Sequence, residues 1–70
     1  MKYPNFMRVV NTPDTKFVLW NIAPEKYQIE IFDRKNMDLI SKVEYNTSYE
    51  RIVEEFEFVS GTIERMSTAA

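Results

Sequence analysis

The chain has 70 residues, of which 44% are apolar and 29% charged, with a net charge of −2. That is enough for one hydrophobic core and too little for two, and it lies well away from the polar, aromatic-poor composition of disordered chains. Cysteine and histidine are both absent, which excludes disulfide staples, Cys/His zinc sites, thiol chemistry and imidazole acid–base catalysis.

A domain of this size buries only about 60% of its unfolded surface, so with staples and zinc removed, association with another chain is the support left to it. The lack of cysteine fits a reducing compartment, and a cytoplasmic location is the expectation. The first residues carry one lysine and no apolar run, and the longest uncharged stretch, residues 17–24, is too short to span a bilayer; no export and no membrane association are expected. Residues 1–45 hold seven Lys/Arg against six Asp/Glu, whereas residues 46–70 hold two against five, so the acid is concentrated in the last third.

Residues 6–10 form a short extended run that ends at Asn11-Thr12-Pro13-Asp14, a turn sequence. Residues 16–22 are rich in β-branched and aromatic side chains and predict a second strand. It stops at Ala23-Pro24-Glu25-Lys26, where Pro24 suits the second position of a type I turn. Residues 27–33 alternate Tyr27, Ile29 and Ile31 against Gln28, Glu30 and Phe32, a period of two that marks a third strand. After Arg34-Lys35-Asn36, with Asn36 suited to positive φ, the next run puts Met37, Leu39, Val43 and Tyr45 on one face. The strands read as an antiparallel meander.

The pattern changes at Asn46. Thr47-Ser48-Tyr49-Glu50 matches a capping box with Thr47 as N-cap, and Tyr49, Ile52, Val53, Phe56, Val59 and Ile63 follow at helical spacing. The spacing predicts a helix over residues 48–60 with Gly61 just past its end. A rival reading takes Glu55-Phe56-Glu57-Phe58 as an alternating strand and Ser60-Gly61 as a hairpin turn; the capping box and the six spaced apolar residues favour the helix. The fold class expected is α+β: a three- to four-stranded meander followed by one amphipathic C-terminal helix, with a small all-β barrel as the alternative. A single domain over residues 1–66 and a frayed tail at 67–70 complete the organisation. Ile29, Ile31, Leu39, Val43, Ile52, Val53 and Phe56 are the expected core.

Catalytic, cofactor and metal sites are not expected. The single glycine cannot build a phosphate-cradling loop. Asp33, Asn36 and Asp38 cluster in one turn without the further ligands or glycine of a calcium loop, and turn formation accounts for them. Ser41 and Lys42 are neighbours on a strand and so point to opposite faces, which rules out a Ser–Lys dyad.

The informative feature is surplus apolar strand surface. Residues 16–22 carry Phe17 and Leu19 on one face and Val18, Trp20 and Ile22 on the other, whereas one helix covers one face. The uncovered face must stay open, curl into a barrel, meet another chain, or be crossed by the N-terminal segment with Phe6, Met7 and Val9. The function expected is non-enzymatic: a small regulator, inhibitor or accessory subunit that binds a larger protein, with a homodimer as a further form. Chains of this size and style occur among accessory and virus-encoded regulators, an analogy that carries no motif. The partner-binding candidates are Trp20, Phe17, Leu19 and Phe32, with Glu50, Glu54 and Glu57 as an acidic helix face. Two alternatives stand beside this: a nucleic-acid-binding sheet that uses Trp20, Phe32 and nearby Lys and Arg, and an acidic imitation of nucleic acid.

Overall fold

The structure, a computed structural model, describes residues 2–61. Four strands, β1 (Asn5–Asn11), β2 (Thr15–Ala23), β3 (Lys26–Asp33) and β4 (Leu39–Asn46), are followed by one helix, α1 (Tyr49–Ser60). The sheet is an antiparallel meander in the order β1-β2-β3-β4, and it stays open, so the barrel alternative falls. Residues 55–60 are helical, which removes the hairpin reading as well. The expected Ile63 and the tail at 67–70 lie outside the described residues.

Two layers account for the whole thickness of 15 Å along the shortest axis. The helix packs Ile52 and Phe56 onto Leu19, Tyr27 and Ile29 from the two central strands, and all five are buried. Met7, Val10, Phe17, Ile31, Tyr45 and Val53 pack around this centre, half-buried. The sequence reading of the core needs two corrections. Leu39 and Val43 are 48% and 44% exposed, while Leu19 and Tyr27, absent from that reading, are buried. Val43 does stand on the helix side, opposite Ile29, but α1 lies toward the other strands and leaves it uncovered. Leu39 is on the other face, opposite Phe32.

A one-residue slip in β4 is responsible for Leu39. Ile31 pairs with Ser41 and Phe32 pairs with Leu39, so Ile40 is the extra residue of a bulge. A bulge shifts the alternation by one and moves every residue beyond it to the opposite face. The same device acts in β1, where Phe6 pairs with Trp20 and Arg8 with Leu19, leaving Met7 between them to turn into the core. Arg8 is thereby on the helix side, where its Nη1 donates to Glu57 Oε2 at 3.0 Å.

The turns also differ from the sequence reading in detail. Glu25 has φ 55, whereas both central residues of a type I turn have negative φ. In the third turn the positive φ falls on Met37, at 64, and not on Asn36. Asn36 instead accepts the Asp38 amide on Oδ1 at 3.1 Å, and Asp33 Oδ1 accepts the Lys35 amide at 2.8 Å. The helix starts one residue later than expected: Ser48 is the N-cap, its Oγ accepting from the Arg51 amide at 3.3 Å. The amide of Thr47 is engaged elsewhere, donating to the Glu25 carbonyl at 3.1 Å. Gly61 ends the helix in the left-handed region, φ 82, as the sequence predicts.

Candidate functional site

With α1 on one face, the other face of the sheet carries Phe6 and Val9 from β1, Lys16, Val18 and Trp20 from β2, Gln28, Glu30 and Phe32 from β3, and Leu39, Lys42 and Glu44 from β4. The N-terminal segment does not cross this face. It pairs with β2 as an edge strand and so enlarges the surface it was expected to cover.

The face is divided. Most of its apolar side chains gather on β1 and β2 with Phe32 of β3, and most of its charged ones lie on β3 and β4, with Lys16 on β2. The apolar half is a depression of about 380 Å³, lined by Phe6, Val9, Lys16, Val18, Trp20, Glu30 and Phe32. Val18 is its floor, 6% exposed although no helix covers it, because the taller side chains around it exclude solvent. Phe6 stands at the rim, 57% exposed, with its ring edge-on to that of Trp20 at a centroid distance of 5.8 Å. Such a pairing of rings is favourable beyond the area it hides, because a positive ring edge meets a negative ring face.

Glu30 gives the depression its polarity. It is diagonal to Trp20 across β2 and β3, and its Oε1 accepts from Trp20 Nε1 at 2.8 Å. Oε2 accepts from Gln28 Nε2 at 3.3 Å. Both donors are neutral, and among the described residues no Lys or Arg stands within ion-pair distance of this carboxylate. The half-buried carboxylate lies beside the rings without an ion-pair partner among the described residues, an arrangement suited to a cation, since rings and carboxylate attract it together.

The remaining candidates disperse. Phe17 and Leu19 project to the helix side, where Leu19 is fully buried and Phe17 packs against the core; neither joins the surface of Trp20 and Phe32. Glu50 and Glu54 are exposed on α1, but Glu57 is half-buried and held by Arg8, so the acidic face is not a free ridge of three. Ser41 and Lys42 are on opposite faces, Ser41 opposite Ile31 and Lys42 opposite Glu30. Among the described residues, no group of three Asp or Glu side chains is placed to hold a metal ion, and no helix is long and apolar enough to cross a membrane.

A second hollow, about 350 Å³, lies between β4 and α1 and is lined by Tyr45, Thr47, Arg51, Ile52, Glu54 and Glu55. The Tyr45 hydroxyl there is held above its ordinary pKa of 10.0, first by burial and second by the negative charge of Glu55.

Sequence reasoning missed Phe6 and Glu30 as members of the site. Glu30 carried a signal, since it shares a period with Phe32. Phe6 carried none that fixed its face, because the bulge at Met7 is set by pairing. Comparison with protein-family models, with curated proteins and with solved structures gave no match, so the site is read from its own residues.

Proposed function

We propose that this protein is a non-enzymatic binding module of the cytoplasm that docks through its open sheet face onto a larger protein, and that the partner contributes a basic side chain, arginine above all, to the depression between Phe6, Trp20 and Phe32. The observation that carries the reading is the Glu30 carboxylate set among these rings with two neutral donors; Lys16 also lines the depression and Lys42 is opposite Glu30, yet among the described residues neither is within ion-pair distance of it. Arginine suits it because a planar guanidinium stacks on aromatic faces while donating to a carboxylate. Rings of this kind anchor protein interfaces, since they desolvate large areas at little rotamer cost.

The same carboxylate speaks against stacking a nucleic-acid strand on the face, because a fixed negative charge beside the rings repels phosphodiesters. Lys16, Lys26 and Lys42 on this face are nearly balanced by Glu30 and Glu44, and Lys26 stands 4.0 Å from Glu44. That leaves no continuous positive track.

Trp20 is the single tryptophan and thus a built-in reporter. Short peptides with one arginine between apolar residues, compared with the same peptides carrying citrulline, test the reading by Trp20 emission. The expected result is a saturable change with arginine, a much weaker one with citrulline, and loss of the arginine response in Glu30→Gln at unchanged melting temperature. Equal responses to both peptides, or a response only to single-stranded oligonucleotides that fades steeply with salt, overturns it.

A further inference from the structure

In the open meander β4 is an edge strand, and among the described residues no other strand pairs with its outer side. We infer that β4 pairs with β4 of a second copy, antiparallel and in one register, with Val43 opposite Val43 on the two-fold axis. This surface is separate from the open face and does not depend on its reading.

The charges of the strand select the register. In an antiparallel pair related by a two-fold axis normal to the sheet, opposite residues share a face, so the axis must pass through a residue position. Centred on Val43, the pairing sets Lys42 opposite Glu44 of the second copy and Glu44 opposite its Lys42, two opposite-charge pairs on the face that already carries both residues. Centred one residue earlier it sets Lys42 against Lys42, and one residue later Glu44 against Glu44, both of which repel. A lysine on an edge strand ordinarily discourages pairing. Here the next charged residue on the same face cancels that effect in a single register.

The burial pattern agrees. Val43 is 44% exposed on the side that α1 fails to cover, and it stands opposite the buried Ile29. Pairing on Val43 continues the row from Ile29 through two valines to Ile29 of the second copy and removes an exposed apolar side chain from water. The helix is no obstacle, because the same exposure of Val43 shows that it does not overhang this edge.

The test is the mass in solution, by sedimentation equilibrium from about 10 µM to about 1 mM, for the full chain and three charge variants. Wild type is expected to form dimers with rising concentration, Lys42→Glu and Glu44→Lys each to remain monomeric, and the double exchange Lys42→Glu/Glu44→Lys to dimerise again. The double exchange keeps whatever like-charge contacts each single change makes with Glu30 or Lys26 inside one chain, so its recovery reports the contact between chains.

A second measurement leaves the charges alone. The chain has no cysteine, so Val43→Cys can form a disulfide only with a second copy. It is expected to cross-link on mild oxidation much faster than Leu39→Cys, whose two copies in this register stand about 20 Å apart, three pairing steps on either side of the axis. A wild type that is monomeric throughout the range, a double exchange as monomeric as its parents, or a dimer lost with Trp20→Gln and kept by the charge variants overturns the proposal. The last result assigns self-association to the open face.

Discussion

Trp20 and Glu30 are joined across β2 and β3 by a 2.8 Å hydrogen bond from indole Nε1 to carboxylate Oε1. The bond fixes the indole over the sheet and aims the carboxylate at the depression that Phe6 and Phe32 help to line. Removing the acceptor leaves an indole N–H in a half-buried setting, at a cost of about 1–2 kcal/mol. Glu30→Ala is therefore expected to lower the urea midpoint, with a shift in Trp20 emission. Lys42→Ala, on the exposed residue opposite Glu30, should change stability by less than about 0.5 kcal/mol. Equal losses for the two would show that the bond carries no stability.

The N-cap is decided by a pair of substitutions. Ser48 Oγ accepts the Arg51 amide, so Ser48→Ala should cost about 1 kcal/mol, whereas Thr47→Ala should cost only a few tenths. Thermal melts of the two variants measure this directly, and the reverse order would restore the capping box read from the sequence.

Burial separates the core residues that the sequence grouped together. Phe56 and Ile29 lie in the sealed centre, and truncating either to alanine is expected to cost roughly 2–5 kcal/mol, enough to unfold much of a domain this small. Leu39→Ala should cost less than about 1 kcal/mol, because that side chain is 48% exposed. Denaturant titration of the three variants checks the ranking. A Leu39 variant as damaged as the Phe56 variant would mean that the bulge at Ile40 is misplaced.

Tyr45 gives a prediction at alkaline pH. Burial and Glu55 raise its folded pKa above the ordinary 10.0, so the folded state holds the phenolic proton more tightly than the unfolded state. The stability linked to that proton is complete below pH 10 and is lost as the pH climbs from 10 through the higher folded pKa. Tyr45→Phe has no proton to lose, and its stability should fall less steeply than that of wild type above pH 10. Urea midpoints of both proteins at a series of pH values test this, and parallel curves would remove the assigned cause.

Much of the architecture was legible because its causes are local. The alternation in β3, the turn residues around Pro13 and Pro24, and the run of helically spaced apolar residues ending at Gly61 each specify an element from its own residues. The two-sided apolarity of β2 likewise implied a face that one helix leaves open, and Trp20 and Phe32 are on it.

Where each side chain faces was another matter. Period two assigns faces only within an unbroken strand, and the bulges at Met7 and Ile40 arise from pairing with β2 and β3, residues apart in sequence. They send Met7 to the core and place Leu39 on the open face. The burial of Leu19 and the exposure of Val43 depend on where α1 rests across the sheet, which is set by the joint packing of Ile52 and Phe56 against the central strands. The residues of the chain determined which elements form and in what order, since propensity, turn chemistry and periodicity act over a few neighbours. Only the tertiary structure decided which surface became core and which became site, because register and the lateral position of the helix are properties of several strands at once.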